Sequence, residues 1–133
     1  MNKTLIFLLL IALTITSCKK DSGSNITGKW KLTEIFNGYV NGGNFKWNSV
    51  TEENSHTLKF SDNGQYVRQE NQNGNNRQCI GTYQLQSNNT LEINSNCDTA
   101  TEKMNVSKLS SRLLIVTTQV IEGEIRYKYI ATN

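Results

Sequence analysis

The chain has 133 residues, 14 of them basic and 11 acidic, with a net charge of +3, three cysteines, one histidine and no proline. That length holds one domain, and so mild a charge, with no basic cluster interleaved with aromatics, excludes a nucleic-acid footprint. One histidine and no Cys-x-x-Cys leave no metal motif, and without a nucleophile elbow or paired acids no enzyme and no cofactor are expected.

Residues 1–17 read as a leader. Lys3 precedes the apolar run "LIFLLLIALTI", Leu5 to Ile15, which is a signal-peptide pattern and too short for a bilayer span of about 20 residues. The run ends at Ile15-Thr16-Ser17-Cys18, which resembles the bacterial lipobox. The resemblance implies that Cys18 receives diacylglycerol and becomes the mature N-terminus. Acyl chains hold a protein to a membrane by about 0.8 kcal/mol per buried CH₂. Residues 18–25, "CKKDSGSN", read as a flexible tether. Similar starts occur in Bacteroidetes-type lipoproteins, and Lys19 after the cysteine points to the outer membrane, on either of its faces. Without Lys3 the mature chain carries 13 basic and 11 acidic side chains, or +2.

Residues 26–133 form the expected domain, and alternation of apolar and polar residues marks it as antiparallel β. "GKWKLTEIF" puts Trp30 and Leu32 on one face and Lys29, Lys31 and Thr33 on the other. A long insertion follows, Asn37 to Ser55. "HTLKF-SDNGQ-YVRQ" reads as a hairpin with Gly64 in the left-handed position of a three-residue loop. In that register Leu58 faces Arg68 and Phe60 faces Tyr66. The run "NQNGNN", Asn71 to Asn76, reads as a loop.

The next hairpin turns at Ser87–Asn89. Pairing Gln86 with Thr90 sets Leu85 against Leu91, Tyr83 against Ile93, Gly81 against Ser95 and Cys79 against Cys97. The opposite face pairs Ile80 with Asn96, Thr82 with Asn94 and Gln84 with Glu92. A slip of one residue would destroy the apolar face and the cysteine alignment together. Further strands are expected at Lys103–Leu109, Leu113–Val120 and Glu124–Thr132, the last with Ile125, Tyr127 and Tyr129 inward. About eight strands with up-and-down connections leave no open edge if they close into a barrel.

With Cys18 assigned to lipid, Cys79 and Cys97 remain as an even pair in an oxidising compartment. Directly opposed on neighbouring strands, they lie within disulfide range, so a Cys79–Cys97 bond is expected.

Gly28-Lys29-Trp30 matches the G-x-W of the first lipocalin strand. "LKFSDNGQY" and "CIGTYQL…NTLEI" are similar to hairpins of the lipocalin-like domains of bacterial secreted lipoproteins of the Bacteroidetes type. The resemblance covers nearly all of residues 26–132. It implies an up-and-down barrel with Trp30 at the closed end, and a loop after the first strand that brings Tyr39, Phe45 and Trp47 near the mouth. A barrel of this size holds a small ligand or fills with side chains.

Tyr39, Phe45, Trp47, Tyr66 and Arg68 are therefore the candidate ligand-binding residues. An inward Arg68 would grip a carboxylate or phosphate, whereas an Arg68 at a strand end would reach water. His56 is expected to begin a strand in solvent. Glu52, Glu53 and Asp98 stand as single carboxylates on loops without partners, and Gly42-Gly43 lacks the P-loop spacing. Two functions remain open: a membrane-anchored protein holding a small apolar or amphipathic ligand in the barrel or under its lid, or an envelope module that binds another protein. A pocket of at least about 300 Å³ marks the first. A filled barrel with an exposed apolar patch marks the second.

Overall fold

The computed structural model describes residues 25–72 and 74–133. The leader, Cys18 and most of the tether lie outside them. Among the described residues nine strands run in chain order: β1 (Gly28–Tyr39), β2 (Trp47–Ser49), β3 (His56–Phe60), β4 (Gln65–Gln72), β5 (Asn75–Leu85), β6 (Thr90–Ser95), β7 (Glu102–Leu109), β8 (Leu113–Val120) and β9 (Gly123–Thr132). Each of β3 to β9 pairs with its neighbour in sequence, and β9 returns to β1 from Lys29↔Thr132 to Tyr39↔Gly123. The result is a closed eight-stranded antiparallel barrel with β2 as an extra strand. Closure gives both edges of the sheet a partner, which an open sheet of this size could not do.

The expected registers hold where turn chemistry and alternation agree. Leu58 faces Arg68 and Phe60 faces Tyr66, with Gly64 at φ +82° in the connecting loop. Leu85 pairs with Leu91, Tyr83 with Ile93 and Gly81 with Ser95. The disulfide joins Cys79 to Cys97, with Cα atoms 5.4 Å apart. Its setting differs from the expected one: β6 ends at Ser95, so Cys97 sits in the turn beyond it, and the sheet neighbour opposite Cys79 on β4 is Arg68. The Asn-rich run expected as a loop is largely strand, since Asn71 pairs with Asn76 and Gln72 with Asn75. A tight antiparallel hairpin needs few turn residues, so the pairing reaches into a run whose composition suggested otherwise.

The insertion after β1 departs most from expectation. β1 pairs with β3 over Gly28–Lys31 and with β2 over Glu34–Phe36, along one edge. A bulge between Leu32 and Glu34 separates the two stretches. β2 and β3 thus form an interrupted strand, broken by a 3₁₀ turn at Glu52–Asn54. Ser55 fills the break, its hydroxyl donating to the Leu32 carbonyl at 2.7 Å. The edge that β3 leaves bare is covered from outside, so the segment does not lie across the mouth.

One end of the barrel is sealed. Gly28 adopts φ +140°, an angle side chains other than glycine's rarely allow. This lets the preceding segment fold so that the Trp30 indole nitrogen donates to the Ile26 carbonyl at 2.8 Å. Both residues are buried. Phe60 packs against Tyr66 and Tyr83, with ring centroids 5.5 and 4.8 Å apart, and the Tyr83 hydroxyl donates to the Ser61 carbonyl at 2.8 Å. Leu32, Leu58, Leu91, Ile93, Leu114 and Val116 continue the core along the barrel axis. The interior is filled, as an eight-stranded barrel allows.

Candidate functional site

The inward row that is apolar at the sealed end turns polar towards the mouth. Alternation carries Leu58 on to His56 in β3, Tyr66 on to Arg68 and Glu70 in β4, and Tyr129 back to Tyr127 in β9. β7 contributes Glu102 and Met104. β7 pairs with β8 from Asn105 onward, and from Glu102 to Asn105 it pairs with β6. The wall therefore opens beside Glu102. A cavity of about 110 Å³ lies here, lined by His56, Tyr66, Arg68, Glu102, Tyr127 and Tyr129, with Leu58 and Met104 beneath.

Arg68 is the centre of this group. Its side chain is 19% exposed, with Nε 3.7 Å from a Glu70 carboxylate oxygen and Nη2 3.9 Å from one of Asp98. Nη2 also lies 3.6 Å from the Cys79 sulfur. None of these carboxylate distances is a good hydrogen bond. Among the described residues, Arg68 Nε is the buried side-chain nitrogen without a hydrogen-bond partner. A guanidinium held among carboxylates yet short of contact costs free energy unless something else meets its donors.

Burial shifts the titrating groups around it. His56 shares a hydrogen bond with the Tyr129 hydroxyl at 3.0 Å. Burial first, and the Arg68 charge second, push its pKa down to about 4, so the ring is neutral at pH 7. Burial raises the Tyr66 and Tyr129 phenols, which stay protonated. It also holds the Glu102 carboxyl above its ordinary range, against the pull of Arg68.

Two open clefts adjoin the rim: one of about 720 Å³ beside the 3₁₀ turn, and one of about 570 Å³ on the outward face of the wall, against Lys31, Thr57, Gln69 and Gln78. Ser55, His56, Glu70 and Asn71 border both, and His56 also lines the inner cavity. Arg77 ties to Glu70 at 3.4 Å on this rim. Among the described residues, no group of three His, Cys, Asp or Glu side chains is arranged to hold a metal ion.

Of the five candidates from the sequence, the structure brings Tyr66 and Arg68 together at the cavity and leaves the other three elsewhere. Tyr39 ends β1, half-buried, where it pairs with Gly123. Phe45 is exposed in the turn before β2, at φ +52°. Trp47 lies on the outer wall, its ring 5.6 Å from Phe36 and capped by Lys128 Nζ at 4.2 Å. Arg126 stacks on Phe36 at 5.1 Å beside it, and Lys128 also pairs with Glu34. The bulge in β1 is the cause: it puts Ile35 on the inner face and Phe36 on the outer, and Trp47 pairs with Phe36.

His56, expected in solvent, lines the cavity instead, and Asp98, expected without a partner, has two although it is exposed. His56 does begin a strand, but its ring turns in to Tyr129. Asp98 has partners: it accepts from the Ser95 hydroxyl at 2.6 Å and faces Arg68. Glu102 carries no sequence signal beyond lying next to an expected strand.

The family model described as "Lipocalin-like domain" matches residues 26–116. Two solved structures share the fold. One is a lipocalin-like protein from Bacteroides uniformis, with TM-score 0.58 and 16% identity, over 80% of this chain and 97% of that one. The other is an uncharacterized protein from Bacteroides eggerthii, also with TM-score 0.58 and 16% identity, over 81% of this chain and 100% of that one. Among curated proteins none matches.

Proposed function

This chain belongs to the lipocalin-like domain family, and on that premise we propose that it is a lipid-anchored envelope protein that binds a small amphipathic ligand at its mouth, polar end inward. Arg68 carries the proposal: a half-buried guanidinium whose buried Nε donor is unmet, on the wall of a cavity that opens past His56 into a wide cleft. Buried polar groups left unpaired in a pocket mark functional sites. The filled interior leaves no room for a wholly apolar ligand. A cavity of about 110 Å³ is equivalent to about four waters at ~30 Å³ each, so only a polar head enters and the rest lies in the cleft.

The anchor in this proposal is Cys18 in the outer membrane. The tether would join the barrel at Asn25, next to the sealed end, so the mouth points away from the lipid. Native mass spectrometry of the full protein purified from its own envelope tests the proposal. A co-purifying small molecule is expected from the wild type and not from Arg68→Ala. A clean apo mass from the wild type contradicts it.

A second reading has its own support. Val40, Phe45 and Ile121 are exposed, and Val40 N–H donates to the Glu122 carbonyl at 3.2 Å. The turn after β1 and the turn after β8 thus meet in an apolar tip. Such a tip suits an envelope protein partner, which would appear in the same spectrum as a stoichiometric complex.

A further inference from the structure

The cavity has two chemically distinct walls. Arg68 and Tyr66 come from β4; Glu102 comes from β7 and Tyr127 from β9. A simple anion would meet Arg68, but it would also meet Glu70, Asp98 and Glu102 around it. A simple cation would meet Glu102 and the phenol rings, but also Arg68. A ligand that carries both charges on neighbouring atoms satisfies both walls. The available volume is about 110 Å³, or about four waters, which matches one carboxylate and one ammonium on a shared carbon.

We infer that the cavity binds the head group of a free α-amino acid, its carboxylate on Arg68 and its ammonium on Glu102, with the side chain leaving past His56 into the cleft. The inference rests on the mouth-binding proposal above and adds the class of ligand. Arg68 offers a planar fork that fits a carboxylate with two hydrogen bonds. The Nε donor, unpartnered within the chain, belongs to that fork. On the opposite wall, burial disfavours the charged form of Glu102, and an ammonium beside it would restore that charge. Tyr127 lines the same wall as Glu102, and an aromatic ring there favours a cation. The cleft past His56 presents Glu53, Asn54, Ser55 and Asn71, which suits a polar side chain over a long aliphatic one.

Calorimetry on the full protein in detergent tests this with a matched set: L-alanine, L-glutamine, propionate and ethylamine. Propionate is alanine without its ammonium, and ethylamine is alanine without its carboxylate. Alanine and glutamine are expected to bind at least about tenfold more tightly than either half. Arg68→Lys should weaken both amino acids by at least about tenfold, because an ammonium cannot replace the fork. Glu102→Gln should abolish the advantage of alanine over propionate without weakening propionate. If propionate binds as well as alanine, the two-walled assignment is wrong while a mouth ligand stands. If neither amino acid binds at millimolar concentration, the ligand class is overturned, and the mouth site then stands or falls on the co-purifying mass alone.

Discussion

The two ends of this barrel are built from the same strands to opposite rules. At the sealed end, buried Trp30 and half-buried Tyr83 each give their polar atom a carbonyl 2.8 Å away. At the mouth, half-buried Arg68 has no partner for its buried Nε and lies more than 3.5 Å from the carboxylates that face it. The first arrangement costs nothing in unmet hydrogen bonds and stabilises the fold. The second stabilises little, and it makes sense as a surface prepared for a ligand. The contrast predicts that substitutions at the sealed end change stability and that substitutions at the mouth change binding.

The largest effect should come from the sealed end. Trp30→Ala removes a buried indole and its bond to Ile26, and should cost about 3–5 kcal/mol in urea unfolding. A loss under about 1 kcal/mol would mean that the plug is not structural. Next comes the disulfide. Replacing Cys79 and Cys97 by alanine frees a loop spanning 18 residues and should cost about 3 kcal/mol, read from the urea midpoint with and without reductant.

His56 follows, with a defined sign. Its pKa is about 4 in the fold and about 6.5 in the unfolded chain. Between these values the unfolded state binds more protons, so stability falls as pH drops from about 6.5 to about 4. Each pH step of one between the two values is worth about 1.4 kcal/mol, so the whole loss reaches about 3 kcal/mol. His56→Gln should flatten that slope, leaving only the carboxylates to titrate below it. A wild-type profile flat over this range would place the imidazole in solvent after all.

Much of this frame is legible in the sequence, and the contrast between the ends shows which part. The pairings Leu58 with Arg68 and Leu85 with Leu91 lie within single hairpins, where a short turn and strict alternation fix the register. The sealed end follows from Gly28-Lys29-Trp30, a local motif. The mouth is assembled by closure. Tyr129 reaches His56 across 73 residues of chain, and Glu102 on β7 comes to the same cavity as Arg68 on β4. No local pattern encodes those meetings. The bulge after Leu32 is equally silent, and it alone reverses the side on which Trp47 emerges. Hairpin alternation therefore puts Tyr66 and Arg68 on the inward face that lines the cavity, while Tyr39, Phe45 and Trp47, placed by analogy of loop position, lie away from it.

The smallest stability effect should come from the residue that matters most for binding. Replacing Arg68 by methionine keeps an apolar stem of similar length but takes a cation from Glu70, Asp98 and Glu102; Glu70 keeps Arg77 and Asp98 keeps Ser95, so the loss should stay under about 2 kcal/mol. The decisive measurement joins that urea midpoint to native mass spectrometry of the same Arg68→Met protein purified from its envelope. A variant that folds within about 2 kcal/mol of the wild type, but is stripped of the co-purifying molecule, is the predicted result. A variant that loses several kcal/mol, or that keeps the molecule, would contradict the assignment of the mouth to binding.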